Sequence, residues 1–66
     1  SRPMFEKLHE IKERFEELNG LLMKPEVLAD RNLNKKYSKE RASIEAVVVA
    51  YEEYEKVEAD IAMGYD

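Results

Sequence analysis

Met4, Leu8, Ile11, Phe15, Leu18 and Leu22 recur at alternating steps of four and three. At about 100° per residue they fall within about 80° of one another, which makes a single apolar stripe along a helix. Beyond Pro25 the rhythm resumes with Leu33, Tyr37, Ile44, Val47, Tyr51, Tyr54 and Ile61. Glu40 and Glu58 stand at the two missing beats, with Val48 and Val57 beside the stripe. Two amphipathic segments joined across one proline constrain the chain to an all-α fold, an antiparallel helical hairpin with a shorter and a longer arm.

The boundaries follow from local chemistry. The first helix is expected over about 3–22, since Pro3 suits a first turn, where its missing N–H would be unpaired anyway. Gly20 marks either early fraying or a close contact. Lys24 precedes Pro25 and should be extended. The connection covers about 23–30, and "PEVLAD" has room for one helical turn, with Val27 and Leu28 plugging the end of the core. Asp30 or Asn32 can cap the second helix, which is expected over about 31–63. The β-branched run in "AVVVAY" reads as helix because the helical period continues on both sides of it.

At about 1.5 Å per residue the arms measure about 30 and 50 Å. In an antiparallel pairing, Arg31, Lys35, Lys36, Lys39 and Arg41 would lie near Glu13, Glu16 and Glu17. Glu52, Glu53 and Glu55 would lie toward Arg2 and Lys7. The longer arm would overhang, leaving Tyr54, Val57 and Ile61 without a partner inside the hairpin. Two helices also leave the stripe open on one side. The chain therefore reads as a piece of something larger or as a self-associating unit, closed by a missing helix or a second copy.

Composition narrows the function. The chain has 66 residues and no Cys, which excludes disulfides and thiolate metal sites. No apolar run reaches the roughly 20 residues of a membrane span. The first residues lack the order of a secretory signal, so a cytoplasmic location is expected. A net charge of −4 disfavours a stand-alone nucleic-acid binder.

Candidate chemistry is sparse. Glu6-Lys7-Leu8-His9 spells Glu-x-x-His, half of a carboxylate-bridged di-metal motif. Glu6 projects about 200° and His9 about 140° from the stripe, however, so a solvated His9 is the plainer reading. The carboxylate pairs Glu16–Glu17 and Glu52–Glu53 are sequence neighbours and diverge around their helices. The two glycines stand too far apart for a phosphate loop. Arg31 to Arg41 holds five basic residues against Asp30 and Glu40. That stretch reads as a solvated face balancing the acidic first helix, with an RNA or phosphate contact as the alternative. Tyr51 and Tyr54 read as core, with hydroxyls at its edge, or as partner contacts. No catalytic, cofactor-binding or metal-binding residue is assigned, and neither enzyme activity nor a cofactor is expected.

The residues also resemble a known family. "MFEKLHEIKERFEELNGLL", then "KPEVLAD", then "YSKERASIEAVVVAYEEYEKVEADI" are similar to the start of a bacterial class I peptide chain release factor. The carrying positions are Met4, Phe5 and Leu8; Glu13 to Leu18; Pro25 to Val27; Ser38 to Glu40; and Ala50, Tyr51 and Tyr54. Asn34 and Arg41 depart, standing where such factors often have an aromatic. "KERASIEAVV" is closer to the UAA/UGA-reading paralogue, whereas the first helix and "AYEEYEKV" are closer to the UAA/UAG-reading type, which is favoured. The resemblance implies an N-terminal helical interaction domain of a translation termination factor. Its partner would be the ribosome, near the stalk base. The codon-reading tripeptide and the Gly-Gly-Gln loop of that family do not occur in this chain. Self-association, no membrane contact and no sequence-specific nucleic-acid binding are the further expectations. The rival readings are a free-standing homodimeric four-helix adaptor and a di-metal bundle enzyme.

Overall fold

The computed structural model describes residues 4–64 and contains α1 (Met4–Leu21), α2 (Pro25–Leu28) and α3 (Arg31–Ala62). No strand occurs among the described residues. Pro3 lies outside them. α1 closes one residue earlier than the stripe suggests. Leu22 N–H still donates to Leu18 O at 2.9 Å, after which Met23 and Lys24 donate three residues back, to Gly20 and Leu21. Such tightening satisfies the last carbonyls of a helix. A Cβ added at Gly20 would meet nothing within 4 Å, so no close contact explains that glycine.

Lys24 is extended, at φ −74° and ψ 134°, as the following proline demands. Pro25 opens the four-residue α2, and Val27 turns inward to 4% exposure while Leu28 faces out. Asp30 supplies the cap of α3: its Oδ1 accepts from Leu33 N–H at 3.0 Å. α3 then runs 32 residues through "AVVVAY" to Ala62, past which Gly64 takes the left-handed conformation with φ 87°. At 1.5 Å per residue such a helix is about 48 Å long, which matches the 48 Å longest dimension of the molecule.

α1 and α2 both pack on α3, and the core is small. Leu18 is 0% exposed and Val48 2%. The radius of gyration is 15.2 Å, against about 11 Å for a compact chain of this length. The accessible surface is 5406 Å², against about 4,400 Å² for a closed monomer of this mass. The fold is a hairpin with one side unfilled.

Three expectations are corrected. First, Val48 rather than Val47 faces α1. A strict seven-residue repeat drifts about 20° per heptad on a straight helix. The packed side of α3 therefore carries the part-buried Leu33, Tyr37, Ile44 and Tyr51 around the buried Val48. The heptad members Val47, Tyr54 and Ile61 slip progressively to the flank, at 40%, 43% and 64% exposure.

Second, Tyr54 has a partner inside the hairpin. Its ring stacks on Phe5, with centroids 5.0 Å apart and planes at 21°. Phe5 lies off the apolar stripe of α1, so the repeat does not flag it.

Third, the cross-hairpin charges pair in the opposite sense. Arg14 grips Glu40 with two hydrogen bonds, Nε to Oε2 at 2.7 Å and Nη2 to Oε1 at 2.8 Å. Lys12 Nζ donates to Glu55 at 2.9 Å and lies 3.9 Å from Glu52. The cations thus come from α1 and the carboxylates from α3. Glu13, Glu16 and Glu17 project about 120–180° from the apolar stripe of α1 and cannot reach across. Of the five basic residues near the start of α3, only Arg41 reaches α1. It donates to Asn19 Oδ1 and lies 4.5 Å above the Phe15 ring, a cation–π arrangement.

Candidate interaction surface

The unfilled side of the hairpin is an open apolar groove of about 520 Å³. Met4, Phe5 and Leu8 of α1 form one wall. Ala46, Val47, Ala50, Tyr51 and Tyr54 of α3 form the floor and the other wall. The local sequence explains the shape. Ala46 and Ala50, one turn apart, leave a trough, and the Phe5–Tyr54 stack closes one end. Tyr54 Oη donates to Glu58 Oε2 at 3.3 Å, so its polar end is held at the edge.

The groove continues beyond α1 as a second apolar stripe on α3. Val47, Ala50, Tyr54, Val57 and Ile61 follow steps of three and four and span about 80° of the helix. All are exposed; Val57 reaches 54%. Apolar residues in this spacing form the seam of a helix–helix interface. α3 therefore carries two seams, one filled by α1 and one open. The simple repeat blends them into one, which is why a reading of the sequence alone assigns Val47 to the filled seam and passes over Ala46 and Ala50.

The residues considered for chemistry are dispersed. Glu6 and His9 are exposed, and His9 Nε2 lies 3.8 Å from Glu13 on the same helix. Among the described residues no group of three or more His, Asp or Glu side chains could hold a metal ion. Glu16 and Glu17 are exposed, as are Glu52 and Glu53. No helix among the described residues is long and apolar enough to cross a membrane.

The ion pairs tune protonation. The Arg14 guanidinium, through its hydrogen bonds, holds the Glu40 carboxyl below its ordinary value of 4.5. The Lys12 ammonium does the same for Glu55. Partial burial raises Tyr51 and Tyr54 above the ordinary 10.0, with Glu55 and Glu58 adding to the effect. A depressed carboxyl contributes stability that is present above its unfolded value and is lost as pH falls through the folded one. A raised phenol contributes stability that is lost as pH rises past 10.0. Thermal melts should therefore show a plateau between these limits, with an acid limb starting below pH 4.5. Glu40→Gln and Glu55→Gln together should flatten that limb, and an unchanged limb would show that these pairs do not cause it.

The PCRF domain family matches residues 11–64. Peptide chain release factor 1 of Halalkalibacterium halodurans is 50% identical over 54 residues, covering 82% of this chain and 15% of that protein. The protein of the same name from Geobacillus kaustophilus is 42% identical over 59 residues, 89% of this chain and 16% of that protein. The one from Myxococcus xanthus is 46% identical over 59 residues, with the same coverage. The chain thus spans about a sixth of the length of these curated relatives. No solved structure matches it. With the match running from the middle of α1 to the end of α3, the chain belongs to the PCRF domain family, among bacterial relatives named peptide chain release factor 1.

Proposed function

We propose that this hairpin is the N-terminal interaction and positioning domain of a translation termination factor of the UAA- and UAG-reading type. The observation that carries this reading is the identity of 50% over 54 residues to a peptide chain release factor 1. The factor works in the cytoplasm on the ribosome, where this domain lies toward the stalk base. The chain itself performs no chemistry and reads no codon. Hydrolysis of the peptidyl-tRNA ester belongs to the rest of the factor. The open seam supports the role, because an exposed apolar stripe of this extent marks a surface that is covered in the working assembly. In the whole factor a further helix covers it. In the isolated chain a second copy does, giving self-association. A free-standing homodimeric adaptor is disfavoured, since the relatives are release factors rather than small helical proteins.

A chimera tests this. The matching segment of the Geobacillus kaustophilus factor is replaced by residues 11–64 of this chain, and release of a formyl-methionyl product from programmed ribosomes is measured. Release within about tenfold of the parent at UAA and UAG is expected, and the isolated chain should release nothing. A folded chimera that has lost release altogether would contradict the assignment.

A further inference from the structure

Residues 31–39 hold four cations, Arg31, Lys35, Lys36 and Lys39, and no carboxylate. All four are exposed. The reading of this run as a face that neutralises the acidic first helix requires it to lie against Glu13, Glu16 and Glu17. The structure removes that explanation, because those carboxylates point away and α1 draws on Glu40, Glu52 and Glu55 instead. Arg31, Lys35 and Lys39 make no ion pair among the described residues, in contrast to Lys12, Arg14 and Arg41.

Their placement is specific. The three follow steps of four, so they form one straight row with about 6 Å of rise between neighbours. At about 100° per residue the row points about 170° from the face that packs on α1. Lys36 flanks it, and Asn32, Ser38 and Ala42 lie beside it, all exposed. Like charges at this spacing repel one another along a helix. They also sit in the first turns of α3, where the helix dipole disfavours cations; beyond the capping Asp30 no acidic residue offsets them there. Two local choices that both oppose folding coincide on one face, a conflict that a bound anion resolves.

We infer that this row binds the phosphate backbone of a nucleic-acid duplex without regard to sequence, with duplex RNA as the probe. A regular line of cations suits a regular line of phosphates. The face presents no aromatic ring on which an unpaired base could stack, since Tyr37 is part-buried on the packed side of the helix. It presents no large apolar side chain to enter a lipid layer, which a membrane-surface helix requires. The surface is separate from the open seam, so this inference and the proposed function stand or fall independently.

The test is titration of the chain with a short duplex RNA of arbitrary sequence, followed by fluorescence anisotropy at several salt concentrations. Three phosphate contacts predict a log–log salt slope of about −2.7, which is about a 40-fold loss between 50 and 200 mM salt. The variant Arg31→Gln, Lys35→Gln, Lys39→Gln should weaken binding at least tenfold at 50 mM salt. It should melt at the same or a higher temperature, because it relieves the repulsion. Lys56→Gln, a single charge removed at the acidic end of α3, should bind within twofold of the parent. No RNA binding at 50 mM salt would overturn the inference. So would equal loss in the Lys56 variant, or binding to anionic vesicles in place of RNA.

Discussion

Leu18→Ala is expected to lower the stability of the hairpin by about 2–5 kcal/mol, the usual cost of emptying a buried leucine site. Leu18 is the most completely buried side chain, at 0% exposure. A chain of this length has only about 3–10 kcal/mol of stability in total, at about 0.05–0.15 kcal/mol per residue. The loss is therefore a large fraction of what holds the fold together. Urea denaturation followed by circular dichroism should show a sharply lower midpoint, or a chain already unfolded in buffer. Met23→Ala is the control, since Met23 is 79% exposed and truncating it empties no cavity. A denaturation midpoint unchanged by Leu18→Ala would place Leu18 outside the core.

Val48→Asp should unfold the chain at neutral pH, whereas Val47→Asp should leave it folded. The two valines are neighbours, but Val48 is 2% exposed and Val47 is 40% exposed. At Val48 a carboxylate would be taken out of water into the buried core, which costs several kcal/mol. At Val47 the carboxylate reaches solvent and merely spoils the open groove. The pair isolates the rotation of α3 about its axis. Two variants that melt alike would show that the helix face toward α1 is not the one centred on Val48.

That rotation shows where the sequence stops being legible. The existence and approximate extent of both long helices follow from the three-four spacing. The break between them follows from Pro25, and the start of α3 follows from Asp30. These are local effects, set by a few bonds each. The choice of Val48 over Val47 depends on how a seven-residue repeat drifts around a 3.6-residue helix, which matters only once a partner fixes one face. The Phe5–Tyr54 stack and the Arg14–Glu40 grip join distant positions, and no periodicity encodes them. The direction of charge pairing was misleading for the same reason: composition places acid and base in each arm, but only helix rotation decides which of them meet. The interaction surface was half visible. The helix lengths predict an overhang of Tyr54, Val57 and Ile61; Tyr54 instead meets Phe5, and Ala46, Val47 and Ala50 extend the exposed surface inward. The family does not follow from periodicity at all. The family resemblance comes from the order of small motifs, of which Glu13 to Leu18, Pro25-Glu26-Val27 and Ala50-Tyr51 fall within residues 11–64, the span that the PCRF domain matches.

Leu18→Ala and Val48→Asp probe the filled seam, and the open one bears most directly on the role of the domain. On the proposed function, the exposed row of Val47, Ala50, Tyr54, Val57 and Ile61 is an open place in a helical bundle that another helix takes in the assembly. Sedimentation equilibrium of the isolated chain, beside Val57→Glu with Ile61→Glu, measures this. The account predicts reversible, concentration-dependent self-association of the parent and a folded monomer for the variant, with equal helicity in both. A parent chain that stays a folded monomer at high concentration would contradict it.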